Sequence, residues 1–171
     1  MYKRFIKKPL ANLVVAIAAL SMVPCAMAAK SDLEQEIMIK SARQSGDLKN
    51  KIITYLDDVV ITQGSLIIKA DLVQVLKKEQ TDNDVYIAKG KPATFEQLLE
   101  DGTPIKLQAD KIIYEASENN ITITGNALLS QEGSEVRGNK IIYNTLTERL
   151  EAESNKDDTV TTILKPKTKA N

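Results

Sequence analysis

The sequence has no histidine, no tryptophan and a single cysteine, Cys25. Without histidine the chain lacks the side chain that titrates near neutral pH and most often moves protons in catalysis. With one cysteine it can form no internal disulfide, and a thiol nucleophile would rest on Cys25 alone. Aromatic residues make up only 4% of the chain, with 7 glycines and 5 prolines. A buried core must therefore be built mostly of Ile, Val, Leu and Ala. No stretch carries the spacing of a long amphipathic helix. Cations and anions balance at 23 each, so no basic excess points to nucleic acid.

Residues 1–28 read as a cleaved secretory signal peptide. Lys3, Arg4, Lys7 and Lys8 form a basic start, residues 10–23 an apolar run, and Ala26-Met27-Ala28 a small-x-small cleavage site. The run falls short of the about 20 residues that a membrane span needs. Met22-Val23-Pro24 ahead of Cys25 departs from the Leu, small, small pattern of a lipoprotein site. Cleavage would remove Cys25 together with four of the 23 cations and none of the 23 anions, leaving a net charge near −4. A chain exported to an oxidising compartment would then carry no disulfide. Residues 29–166 are expected to form one β domain and residues 167–171 a disordered tail.

What the rest of the chain does have is period-two alternation, the signal of a half-buried strand. Ile121, Ile123, Ala127 and Leu129 share one face, and Asn120, Thr122, Thr124, Asn126 and Ser130 the other, with Leu128 the exception. A unit also repeats: Ala109-Asp110-Lys111-Ile112-Ile113-Tyr114, Gly138-Asn139-Lys140-Ile141-Ile142-Tyr143 and Ala70-Asp71-Leu72-Val73. Short strands are expected at 36–40, 51–55, 59–63, 65–70, 72–77, 85–89, 148–154 and 159–164. Turns are expected at Asp57-Asp58 and Gln63-Gly64, and a loop at 78–83. Residues 92–99 have tolerable helix propensity, but Asp101-Gly102 before a new alternating run is a hairpin signal and favours a strand. The fold class is all-β: an open, twisted roll of short antiparallel strands with two free edges, since repeated units stack rather than close.

The inventory argues against an enzyme. Ser65, Ser117, Ser130 and Ser134 have no base partner, and no cofactor is implied. Asp57-Asp58 and Asp157-Asp158 read as solvated turns rather than metal ligands, for they lack the alternating Asp loop of a calcium site. Asp71, Asp110 and Asn139 recur at one place in the repeat, and a structural role at a bend suits them best. Leu66-Ile67-Ile68, Leu72-Val73, Ile112-Ile113 and Ile141-Ile142 put apolar residues on both strand faces. They are compatible with an ordinary core or with an interior groove for lipid chains.

Val59-Val60-Ile61-Thr62-Gln63-Gly64 followed by Ile68-Lys69-Ala70-Asp71 resembles the first repeat of the OstA-like family. The resemblance continues through Gly90-Lys91-Pro92-Ala93-Thr94-Phe95, Thr124-Gly125-Asn126-Ala127 and Gly138-Asn139-Lys140-Ile141. It ends at Val160-Thr161-Thr162-Ile163-Leu164-Lys165-Pro166. It implies a twisted β-jellyroll, open at both ends, that shields the acyl chains of lipopolysaccharide in a periplasmic bridge between inner and outer membranes. Residues implied to face the lipid A moiety are Ile37, Ile39, Phe95 and Tyr114. The implied N-terminal edge, Ile37, Met38, Ile39 and Lys40, would meet a membrane-anchored relative. The C-terminal edge, Val160, Thr161, Thr162, Ile163 and Leu164, would meet an outer-membrane translocon, and copies would join head-to-tail. Two other classes remain compatible with the residues alone: a lipocalin-like monomeric carrier of a smaller apolar ligand, and a structural filament subunit.

Overall fold

A computed structural model describes residues 32–77, 84–99 and 101–166, apart from the side chain of Leu33. The expected signal peptide, the loop at 78–83 and the tail at 167–171 lie outside the described residues. The strands are β1 (Met38–Lys40), β2 (Arg43–Asp47), β3 (Ile52–Gln63), β4 (Leu66–Leu76) and β5 (Val85–Leu98). They continue as β6 (Pro104–Glu115), β7 (Asn120–Gln131), β8 (Ser134–Asn144), β9 (Leu150–Glu153) and β10 (Thr161–Ile163). All pair antiparallel in one unclosed sheet of order β1-β3-β4-β5-β6-β7-β8-β10, with β2 beside β3 and β9 beside β8.

The open, all-β roll matches the expectation, but its central strands are long. The strands expected at 51–55 and 59–63 are one strand, β3, and those at 65–70 and 72–77 are one strand, β4. Likewise 85–89 and 92–99 join as β5. Asp57-Asp58 is a bulge inside β3 rather than a turn: both residues have positive φ, 64° and 49°, and the register slips between Leu56 and Val59. Similar slips fall between Lys69 and Leu72, Lys89 and Ala93, Gln108 and Lys111, and Thr124 and Ala127. They form a line across the sheet. In β4 the buried positions are Leu66, Ile68 and Ala70 before the slip and Val73 and Val75 after it. The phase of the alternation flips, and each half reads as its own short strand. β2 went unforeseen because its residues, Arg-Gln-Ser-Gly-Asp, are exposed throughout and carry no apolar pattern.

This line is a bend. Phe95 pairs with Leu107, and Tyr114 lies seven residues further along β6. A straight strand would separate those two positions by about 23 Å. The Phe95 and Tyr114 rings nevertheless lie 6.4 Å apart, centre to centre. The sheet therefore folds back on itself into two facing walls, one edged by β1 and β10, the other by β2 and β9. On the inside of the bend sit small buried residues, Ala70, Ala88, Ala93, Ala109 and Ala127, which let the walls approach. On the outside the Asp110 carboxylate accepts a hydrogen bond from Asn126 Nδ2 at 3.0 Å. The small-residue-plus-Asp repeat is thus the signature of the corner.

Gly125 shows how tight the corner is. Its φ is +79°, and an added Cβ would fall 2.5 Å from Asp110 Oδ2. Gly125→Ala is expected to cost about 1–3 kcal/mol, from positive φ and displacement of the carboxylate together. A urea midpoint within error of the parent protein would show that the corner tolerates a side chain.

Tight turns close the hairpins. Gly64 (φ +59°) joins β3 to β4, and Glu132-Gly133 (φ 50° and 82°) joins β7 to β8. At the expected Asp101-Gly102 turn, Gly102 N–H donates to Leu99 O and Leu99 N–H to Thr103 O, both at 2.9 Å.

Candidate functional site

Among the described residues, the space between the walls is where the buried apolar side chains gather. Phe95, Ile105, Ile112, Ile121, Ile123 and Ile141 are fully buried there. Interior and exterior alternate along the long strands on either side of the bend, so about every second residue there is committed to this space. Gln63, 4% exposed, is the only buried polar or charged residue among those described. Burying a Val, Leu, Ile or Phe side chain contributes about 1.5–3 kcal/mol, so without a ligand the walls close over one another.

Phe95 and Tyr114 come from opposite walls and meet at the centre. Tyr86 stands beside Tyr114, with ring centres 5.9 Å apart. Burial pushes the phenols of Tyr86 and Tyr143 up to about 12, with the Asp84 and Glu148 carboxylates adding to the respective shifts. Burial raises Tyr114 too, reinforced by Tyr86 and Asp32. Tyr114 Oη donates to Gln63 Oε1 at 3.2 Å, tying the walls together.

Ile37 and Ile39 pack against the same cluster from its rim, half-buried, while Met38 between them is 54% exposed. The first strand therefore has its isoleucines inward. It is shorter than expected: β1 begins at Met38, with Ile37 just ahead of it. The segment before β1 is held at the β3–β4 turn. Asp32 accepts hydrogen bonds from Ser65 N–H (2.8 Å), Ser65 Oγ and Gln97 Nε2 (3.2 Å). Gln63 Nε2 donates to Gln35 O at 3.2 Å.

The two ends of the sheet are β1 and β10. At the C-terminal edge only Thr161–Ile163 is strand, and Val160 and Leu164 flank it. Val160, Ile163 and Leu164 are 39%, 51% and 76% exposed. A depression of about 840 Å³ lies on the outer side of the bend, lined by residues including Asp71, Lys89, Lys91, Asp110 and Asn126. Leu72 and Pro92 share that lining with four charged side chains, whereas the interior is walled by fully buried apolar residues and is the better candidate for a hydrocarbon chain. Asp57, one of the aspartates read as solvated, pairs with exposed Arg43, whose guanidinium lowers the Asp57 pKa.

Sequence reasoning missed Gln63, Tyr86 and Tyr143 as interior groups. A signal for Tyr143 was present, since it repeats Tyr114 in the Ile-Ile-Tyr unit.

Residues 38–149 match the profile of the LptA/(LptD N-terminal domain) LPS transport protein family. The chain belongs to this family. Within it, the chain is 36% identical over 156 residues to the lipopolysaccharide export system protein LptA of Escherichia coli (strain K12), covering 91% of this chain and 84% of that protein. It is 35% identical over 162 residues to LptA of Haemophilus influenzae, covering 93% and 94% of the two chains. The fold also superposes on the crystal structure of LptH, the LptA-homologous periplasmic component of the conserved lipopolysaccharide transport device of Pseudomonas aeruginosa. That match has a TM-score of 0.73 and 27% identity, and covers 80% of this chain and all of the chain in that structure.

Proposed function

We propose that this LptA/LptD-family chain is a periplasmic, non-enzymatic lipopolysaccharide-binding protein of the transport bridge between inner and outer membranes. The observation that carries this reading is an unclosed two-walled roll with an apolar interior and a free edge at each end. The walls part to take the acyl chains of the lipid A moiety, with Phe95 and Tyr114 at the centre and Ile37 and Ile39 at the β1 rim. Each methylene kept from water saves about 0.8 kcal/mol, so a lipid crosses the aqueous gap without chemistry by this chain. β1 adds to a membrane-anchored relative, β10 to the outer-membrane translocon, and β10 of one copy to β1 of the next. The signal peptide at 1–28 delivers the chain to this compartment.

A photo-crosslinking residue at Phe95 or Tyr114 is expected to give adducts with lipopolysaccharide in cells. Exposed Lys69 and Glu132 serve as controls. Adducts only from the controls would reject an interior site.

A further inference from the structure

An interior built only for hydrocarbon would need no hydrogen-bonding groups, yet this one has two polar rows. Gln97, Ile105 and Gln131 are cross-strand neighbours, and Gln63 pairs with Leu66 on the same wall. On the facing wall Tyr86, Tyr114, Ile121 and Tyr143 form one continuous row. Both rows occupy the last inward positions before the hairpin turns. They are therefore farthest from the bend, along the side where the folded sheet is open.

The walls touch here through the Tyr114–Gln63 hydrogen bond of 3.2 Å. Two further groups in the same rows are buried with no hydrogen-bond partner: Gln97 Oε1 and Tyr143 Oη. Tyr143 is only 3% exposed. Buried orphan groups are rare in folded chains because they cost free energy. Phenylalanine would fill the Tyr143 volume without that cost, whereas Gln97 and Gln63 also hold the 32–35 segment through their amide nitrogens.

We propose that these glutamines and tyrosines form a seam that binds the linkage between an acyl chain and its sugar headgroup, namely the ester or amide carbonyl and adjacent hydroxyls. The inference rests on the interior being the lipid site and adds a subsite to it. The tail runs toward the alanine-lined bend, the headgroup stays outside, and the carbonyl falls at the seam. Parting the walls breaks the Tyr114–Gln63 bond. The freed Tyr114 hydroxyl and the unpartnered Tyr143 hydroxyl then donate to the carbonyl oxygen, while the glutamine oxygens accept from hydroxyls.

The test uses the purified protein and two amphiphiles of equal chain length, a fatty-acid monoester of glucose and the corresponding alkyl glucoside, which lacks the carbonyl. The ester is expected to bind roughly three- to tenfold more tightly, as one or two net hydrogen bonds would give. Tyr143→Phe and Tyr114→Phe are expected to abolish that preference, the ester falling to the affinity that the same variant shows for the glucoside. Tyr143→Phe should keep or raise the thermal midpoint, because it deletes a hydroxyl without a partner. Equal affinity of the parent protein for the two amphiphiles, or an undiminished preference in both variants, overturns the seam. So does a lowered midpoint in Tyr143→Phe, which would make the hydroxyl structural. Failure to bind either amphiphile would instead sink the interior as the lipid site.

Discussion

Thr162→Pro is expected to leave the protein monomeric at concentrations where edge pairing is expected to assemble the parent chain, and to weaken docking at its C-terminal edge by roughly tenfold or more. Lipid binding should persist. The choice of position follows from the direction of the backbone. Glu132-Gly133 closes a two-residue hairpin, so Ser134 turns its backbone groups toward Gln131 on β7. Glu135 therefore faces the other way, toward its partner Ile163 on β10. Lys165 N–H, two residues beyond Ile163, also turns back to β8, donating to Ser134 Oγ at 3.2 Å. Alternation leaves the Thr162 N–H pointing outward, where an added strand would accept from it. Ile163→Pro is the contrasting variant. It removes a donor to β8, so it should loosen β10 itself and lose docking together with stability. On the other edge the same reasoning, run from the Gly64 hairpin through Thr62 and Met38, leaves the Ile39 N–H outward. Light scattering and lipid binding on one sample decide the matter. A Thr162→Pro variant that assembles like its parent would overturn edge pairing as the mode of assembly.

The two edges also show what a sequence can and cannot reveal about such a fold. β-rich runs at 36–40 and 159–164 were legible because Ile37, Ile39, Val160 and Ile163 stand out from polar surroundings. The central strands were legible only in halves. A bulge flips which residues face inward, so a reader following one alternation phase sees it fail at Asp71 or Asp110 and ends the strand there. The corner itself was on the page as Ala70-Asp71, Ala109-Asp110 and Gly138-Asn139. Its meaning needed a long-range fact, that Phe95 meets Tyr114. The resemblance named Phe95 and Tyr114 individually, and both lie in the interior. Gln63 escaped notice because a glutamine before Gly64 reads as a polar turn residue. Only the opposite wall, with Tyr114 reaching across, makes it an interior group. β2 had no pattern to find, for an edge strand exposed on both faces places no demand on its side chains.

Alkali is expected to unfold the protein between about pH 10 and 12, while stability stays flat from about pH 6 to 9. The flat range follows from the lack of histidine. The steep range follows from the interior tyrosines. Burial raises the phenols of Tyr86 and Tyr143 to about 12 in the folded chain, and Tyr114 is raised by the same cause. In the unfolded chain each titrates near 10. Below that value both states hold the proton, and the tyrosines make no pH-dependent contribution. Above it the unfolded state holds fewer protons than the folded state, so stability falls with rising pH until the folded phenols also ionise. A displacement of about two units corresponds to about 3 kcal/mol for each of Tyr86 and Tyr143. Together with Tyr114, that loss rivals the whole stability of an ordinary domain, about 5–15 kcal/mol. Tyr143→Phe should remove its share and move the alkaline transition upward. Tyrosinate absorbance and the circular dichroism of the sheet, followed in one titration, separate two behaviours. Coincident transitions mean that the phenols ionise only when the roll comes apart. In a chain starting at residue 29 and carrying Tyr55→Phe, whose remaining tyrosines are Tyr86, Tyr114 and Tyr143, tyrosinate appearing near pH 10 with the sheet signal intact would contradict that account. It would show that the walls part far enough to admit water without unfolding, the movement that lipid loading also requires.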